Sequence, residues 1–224
     1  NPYIGIPSCV NNSNIATINT SASALDSPTP SWAASASNPS AGRVSWAAIT
    51  NADHYAVYVD GSAKANVTSL YYDVSGLTVG EHTIGVMAYY EADRTYDSSV
   101  TSISVTTSVI SPLASVSFTR SSTVANAGTL SWTALPLANS YDVYLGNSKI
   151  GNSTTSSYAL TGINIGINSY SVVAKNTNAS GYDSSKTSTS VSLSILGTPT
   201  VSWTASTTVP DQGSISWGAI TYST

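Results

Sequence analysis

Charge is what this sequence lacks most. Only 8% of its 224 residues are Asp, Glu, Lys or Arg, against roughly 25% in ordinary soluble proteins. The net charge is -4 and the pI is near 4.8. This balance argues against nucleic acid, which attracts a basic face, and against an anionic membrane surface. Cysteine occurs once, as Cys9. An internal disulfide is therefore excluded, and two readings stay open: an inert thiol, or a bond between chains. Histidine occurs twice, as His54 and His82. No Gly-x-Ser-x-Gly elbow and no His or Cys cluster accompanies them, so the sequence offers no catalytic triad, no metal site and no cofactor. No apolar run approaches the roughly 20 residues of a membrane-spanning helix. The chain starts at Asn1 without a charged-then-apolar leader, as a secreted protein does after signal removal, or as a fragment does.

What is present is a repeat. Trp46 in Val44-Ser45-Trp46 returns as Trp132 in Leu130-Ser131-Trp132 and as Trp217 in Ile215-Ser216-Trp217. An earlier aromatic precedes each: Trp32, Phe118 and Trp203. Between the first two copies the register holds without a gap. Tyr55 matches Tyr141, Val57 matches Val143, Tyr72 matches Tyr158, Gly76 matches Gly162 and Gly80 matches Gly166. Tyr96-Asp97-Ser98-Ser99 matches Tyr182-Asp183-Ser184-Ser185. Repetition of this kind marks an array of one structural unit.

Each unit has the pattern of strands. Tyr55, Val57 and Val59 alternate with Ala56 and Tyr58, and Ile84, Val86 and Ala88 with Gly85 and Met87. A period of two sends one set inward and the other outward. Asp60-Gly61 and Gly146-Asn147 stand where a hairpin needs positive φ. Strands are expected at 29-34, 42-49, 54-60, 63-68, 70-75, 82-90 and 98-106, with the second copy following at the same offset. This predicts an all-β chain of tandem immunoglobulin-like sandwiches. An N-terminal segment spans 1-26, module 1 spans 27-110, module 2 spans 111-197, and an incomplete module 3 spans 198-224.

These features together resemble a fibronectin type III module of the bacterial and archaeal surface-protein kind. The carrying residues are Trp46 or Trp132, the Tyr-x-Val-Tyr strand at 55-58 and 141-144, Gly76-Leu77-x-x-Gly80 and Gly162-Ile163-x-x-Gly166, and the Tyr-Asp-Ser-Ser step. The resemblance covers about 27-197. It implies spacer, adhesive and assembly roles rather than catalysis, and a buried core position for Trp46, Trp132 and Trp217. The family's corner tyrosine has a counterpart in Tyr170, but module 1 has Ile84 there.

The ends suggest exchange between subunits. Two strands of a third copy cannot bury a core. Residues around Ile15 and Ile18 form a candidate donor strand for such a module in another chain. A piece of a longer repeat array would show the same ends. Module 1 carries net charge -4 and module 2 carries +2, a polarity that suits head-to-tail order.

The remaining candidates follow from exposure and pattern. Tyr58, Tyr144, Tyr89 and Tyr90 are the expected contact surface. Asn66 and Asn152 are candidate glycosylation sites, with further triplets at Asn11, Asn19 and Asn178. Asp97 and Asp183 are expected to cap turns, and both histidines to sit at the surface. The functional expectation is an extracellular structural subunit that polymerises with itself into a surface fibre, sheath or layer. Two alternatives are an adhesin or carbohydrate-binding module, meeting a glycan or another surface protein, and a passive spacer in a larger secreted protein.

Overall fold

A computed structural model of the chain describes residues 23–220. Cys9, Ile15, Ile18, Asn11 and Asn19 lie outside the described residues. Module 1 contains β1 (Ser31–Ala34), β2 (Gly42–Ser45), β3 (His54–Val59), β4 (Ser62–Val67), β5 (Tyr71–Val74), β6 (Gly80–Tyr89) and β7 (Thr101–Thr107). Every boundary falls within four residues of the expected one. A short 3-10 turn at Arg94–Tyr96, which the strand pattern does not announce, joins β6 to β7. Strands β1-β2-β5 form one antiparallel sheet and β4-β3-β6-β7 the other. Module 2 repeats this with β8 (Ser117–Arg120), β9 (Gly128–Ser131), β10 (Ser140–Leu145), β11 (Ser148–Ser153), β12 (Ser157–Leu160), β13 (Gly166–Lys175) and β14 (Thr187–Leu193). Its sheets run β8-β9-β12 and β11-β10-β13-β14.

The alternation decides which side chains meet. Val57, Ile84 and Val86 are fully enclosed in module 1, as are Leu130, Val143 and Val172 in module 2. Each module has its own apolar cluster. Trp46 and Trp132 are 6% and 8% exposed. Each ring leans on the next tyrosine, Trp46 on Tyr55 at 5.3 Å and Trp132 on Tyr141 at 5.2 Å between centroids. Those tyrosine hydroxyls in turn accept the Ile49 and Leu135 N–H groups at 2.9 Å. A ring is thus anchored at its polar tip while its body fills the core. Tyr170 is buried, and Ile84 fills the matching place in module 1.

The earlier aromatics do a different job. A Cβ on Gly42 would lie 2.2 Å from the Trp32 ring, and one on Gly128 would lie 2.4 Å from Phe118. The bare glycine is the seat on which the aromatic of the neighbouring strand lies. The turns also differ in kind. Asp60 and Gly61 both take positive φ, at 51° and 74°, a type I′ pair. In module 2 Gly146 takes φ 57° and Asn147 does not, as in a II′ turn with glycine first.

The third copy is a hairpin, β15 (Val201–Ala205) with β16 (Gly213–Trp217). Here the expectation of a buried Trp217 fails, since the residue is 66% exposed. The hairpin preserves the Trp203–Gly213 seat. Among the described residues, however, no second sheet faces it, so its apolar face has nothing to bury against.

Candidate functional site at the inter-module joint

Among the described residues, a developed polar arrangement lies where module 1 meets module 2. The Tyr-Asp-Ser-Ser step starts it. Ser98 and Ser184 each accept a buried backbone N–H, from Ala88 at 2.8 Å and Ala174 at 2.9 Å. The carbonyl of the tyrosine that opens each step accepts from the segment leading into its module. Leu25 N–H donates to Tyr96 and Ile110 N–H to Tyr182, both at 2.8 Å. The local fold is therefore the same twice. The surroundings are not. Tyr182 is 1% exposed, and its hydroxyl reaches back into module 1, 2.9 Å from the Leu77 carbonyl and 2.7 Å from that of Thr78. Asn176 adds a second tie, its Nδ2 donating to the Ser37 carbonyl of module 1 at 2.8 Å and to Leu137 at 2.7 Å. Tyr96, with no module described before it, is 38% exposed.

Thr78 is the centre of the joint. Its carbonyl also accepts from the Thr107 hydroxyl and from His82 Nε2 at 2.8 Å. His82 is buried rather than superficial, correcting the sequence expectation. Its Nδ1 faces the Asp60 carboxylate at 2.8 Å, and Asp60 also accepts the Thr83 N–H at 2.9 Å. Both ring nitrogens thus face acceptors, which suits the imidazolium, with two donors. An Asp, a His and the Thr78 hydroxyl stand in triad order, with that hydroxyl 3.4 Å from Nε2. Nε2 is committed to a carbonyl instead, so it is no base for a nucleophile. Module 2 supports a structural role. Asn168 replaces His82 and donates to the Asn164 carbonyl, the Thr78 counterpart, at 2.8 Å.

The Asp60 hydrogen bond, with the Thr78 carbonyl beside it, holds His82 above its ordinary value against the opposing effect of burial. The same contact lowers Asp60. A group raised on folding stabilises fully below its unfolded value, about 6.5, and loses that contribution as pH rises through the folded one. Asp60 contributes above its unfolded value and loses it only in acid. Module 1 should therefore melt higher at about pH 5.5 than at about pH 9. His82→Asn, the module 2 solution, should flatten that difference. Thermal unfolding of the full chain and the variant at both pH values checks this, and an unchanged difference in the variant contradicts it.

The expected contact tyrosines divide. Tyr58 and Tyr144 are half-buried, and Lys186 Nζ lies 4.2 Å from the Tyr144 ring centre. Tyr90 is exposed. Tyr89 is fully buried, stacked on His54 at 5.4 Å with the Arg94 guanidinium 3.5 Å from its centre, and offers no contact surface. Asn66 and Asn152 are exposed, and Asn152 donates to the Ser140 hydroxyl at 2.8 Å. Asp93 caps the 3-10 turn by accepting the Thr95 N–H at 3.0 Å. Asp97 pairs instead with Arg94, and Asp183 with Lys175, each at 2.9 Å. Among the described residues no group of three or more His, Cys, Asp or Glu is placed to hold a metal. No helix among them is long and apolar enough to cross a membrane.

Neither the protein-family models nor the curated proteins contain a match to this sequence. Solved structures do show likeness. FN3tt mut is 23% identical, with a TM-score of 0.32, over 37% of this chain and 94% of its own. The central fibronectin-III array of RIM-binding protein is 17% identical with a TM-score of 0.32, over 85% of this chain and 79% of that one. The FN1–FN3 domains of chicken CNTN1 are 10% identical with a TM-score of 0.31, over 75% of this chain and 68% of that one. The strand order stands independently of these likenesses: three strands face four, and the hairpin of the third and fourth strands stays in the larger sheet. By its fold, the chain is a tandem array of fibronectin type III-like β-sandwich modules.

Proposed function

We propose that this protein is a non-enzymatic extracellular structural subunit whose modules stack end to end and which assembles head to tail into a surface fibre, sheath or layer. The observation that carries this is the Tyr182 joint. A fully buried tyrosine of one module donates to two carbonyls of the preceding one, so the modules meet at a set angle rather than through a free tether. Both halves of that joint are written twice in the sequence, as Tyr96 and Tyr182 and as Gly76-Leu77 and Gly162-Ile163. A heterologous contact that repeats without closing produces a filament. The sparse charge helps, because little has to be desolvated when such faces meet.

Electron microscopy of the purified full chain tests the reading. Fibres or layers with an axial repeat set by stacked modules are the expected result. A uniform population of short rods at every concentration would reduce the protein to a spacer. A second reading, a glycan-binding adhesin, draws support from the exposed Tyr90 and Tyr96, because tyrosine rings stack on sugar faces. A glycan array separates the two.

A further inference from the structure

The joint between modules 1 and 2 shows what a Tyr96-type face is built to receive. Around Tyr96 lies a groove of about 620 Å³, lined also by Leu25, Asn51, Tyr90 and Asp93. It occupies the place on module 1 that, on module 2, is covered by the 76-78 turn. The matching turn at 162-164 lies at the far end of module 2. Beside it, Ile165 is 69% exposed, and a second groove is lined by Ile163, Ile165, Ile195 and Arg120. With the β15–β16 hairpin in place, Gly162 and Asn164 are exposed, so this turn is accessible. Among the described residues, both halves of this joint are thus exposed, Tyr96 on module 1 and the 162-164 turn on module 2.

We infer that the Tyr96 groove is the docking site for the 162-164 turn of a second copy of this chain. The Tyr96 hydroxyl donates to the Ile163 and Asn164 carbonyls of that copy, as Tyr182 does to Leu77 and Thr78 within the chain. The occupant is a second copy because the internal joint supplies the template, and because this chain itself holds the complementary turn. Charge agrees with the pairing: module 1 is net -4 and module 2 is net +2, with Asp93 on one groove and Arg120 on the other. Tyr90 and Asp93 stand where module 2 has Asn176 and Ala179, which makes the groove more aromatic and more acidic than the internal joint. This inference rests on the head-to-tail reading and names its contact.

Sedimentation velocity over a range of concentrations tests it with the full chain and two variants, Tyr96→Ala and Ile165→Asp. The wild type should grow into a head-to-tail series, and each variant should lose at least about tenfold in association, the scale of a central interface residue. Each variant keeps one working half, so mixing the two should give a 1:1 pair that stops growing. Circular dichroism of each variant confirms that it is folded. If the wild type assembles and both variants assemble equally well, the contact assigned here is wrong while the fibre reading stands. If the wild type stays monomeric at every concentration, both are wrong.

Discussion

Replacing Trp132 by Ala is expected to remove about 3–5 kcal/mol from module 2, the usual cost of truncating a buried aromatic in a core. Domains of this size hold roughly 5–15 kcal/mol in all, so the module should be left near its unfolding threshold. The effect should stay local. Trp132 belongs to the cluster with Leu130, Val143 and Val172, whereas Trp46 belongs to a separate one with Val44, Val57 and Val86. Urea unfolding of the variant should split into two transitions, with only the second module's moved, and Trp46→Ala should do the converse. Trp132→Phe provides the control. The indole Nε1 of both tryptophans is buried without a partner, and an unpaired buried donor costs about 1–3 kcal/mol. Phe keeps much of the ring and drops that donor, so it should cost far less than Ala. A Trp132→Ala chain that unfolds like the wild type would show that the tryptophan is not the centre of its sandwich.

The second large effect is an asymmetry between two copies of one residue. Tyr182→Ala should cost about 3 kcal/mol, because it empties a closed site and strips the joint of its hydroxyl donor. Tyr96→Ala, at an exposed position, should fall within about 0.5 kcal/mol of the wild type in the monomer. Tyr182→Phe should lie between them at about 1 kcal/mol, the net worth of an ordinary hydrogen bond. Small-angle scattering supplies the independent readout. At dilutions where the chain is monomeric, Tyr182→Ala should broaden the distribution of end-to-end distances while each module stays folded, and Tyr96→Ala should leave it unchanged. Equal costs for Tyr96→Ala and Tyr182→Ala would mean that the joint does not hold the modules.

The site was legible only in fragments. The tyrosines of the Tyr-Asp-Ser-Ser step were visible as a repeat, but nothing in the repeat says that one is covered and the other open. His82 reads as one polar residue in a strand. Its burial follows from Asp60 on the hairpin and Thr78 on the turn, which converge on it from separate segments. The comparison that could have singled it out is the exchange with Asn168, because only a donor is useful beside the Thr78 or Asn164 carbonyl. Tyr89 reads as an outward residue near the end of β6, yet His54 and Arg94 close over it.

The sequence alone determined the sandwich. Alternation of large and small residues sets which face of each strand turns inward, glycine and aspartate place the turns, and the repeated register makes two modules of one plan. These are local rules, enforced by backbone geometry within a few residues. Tertiary structure decided what each outward face meets. Trp217 carries the same local signature as Trp46 and Trp132 but lies open among the described residues, since burial needs a second sheet and not merely a strand. Tyr96 and Tyr182 differ for the same reason: enclosure depends on atoms brought from distant parts of the chain, and no short stretch of residues specifies them.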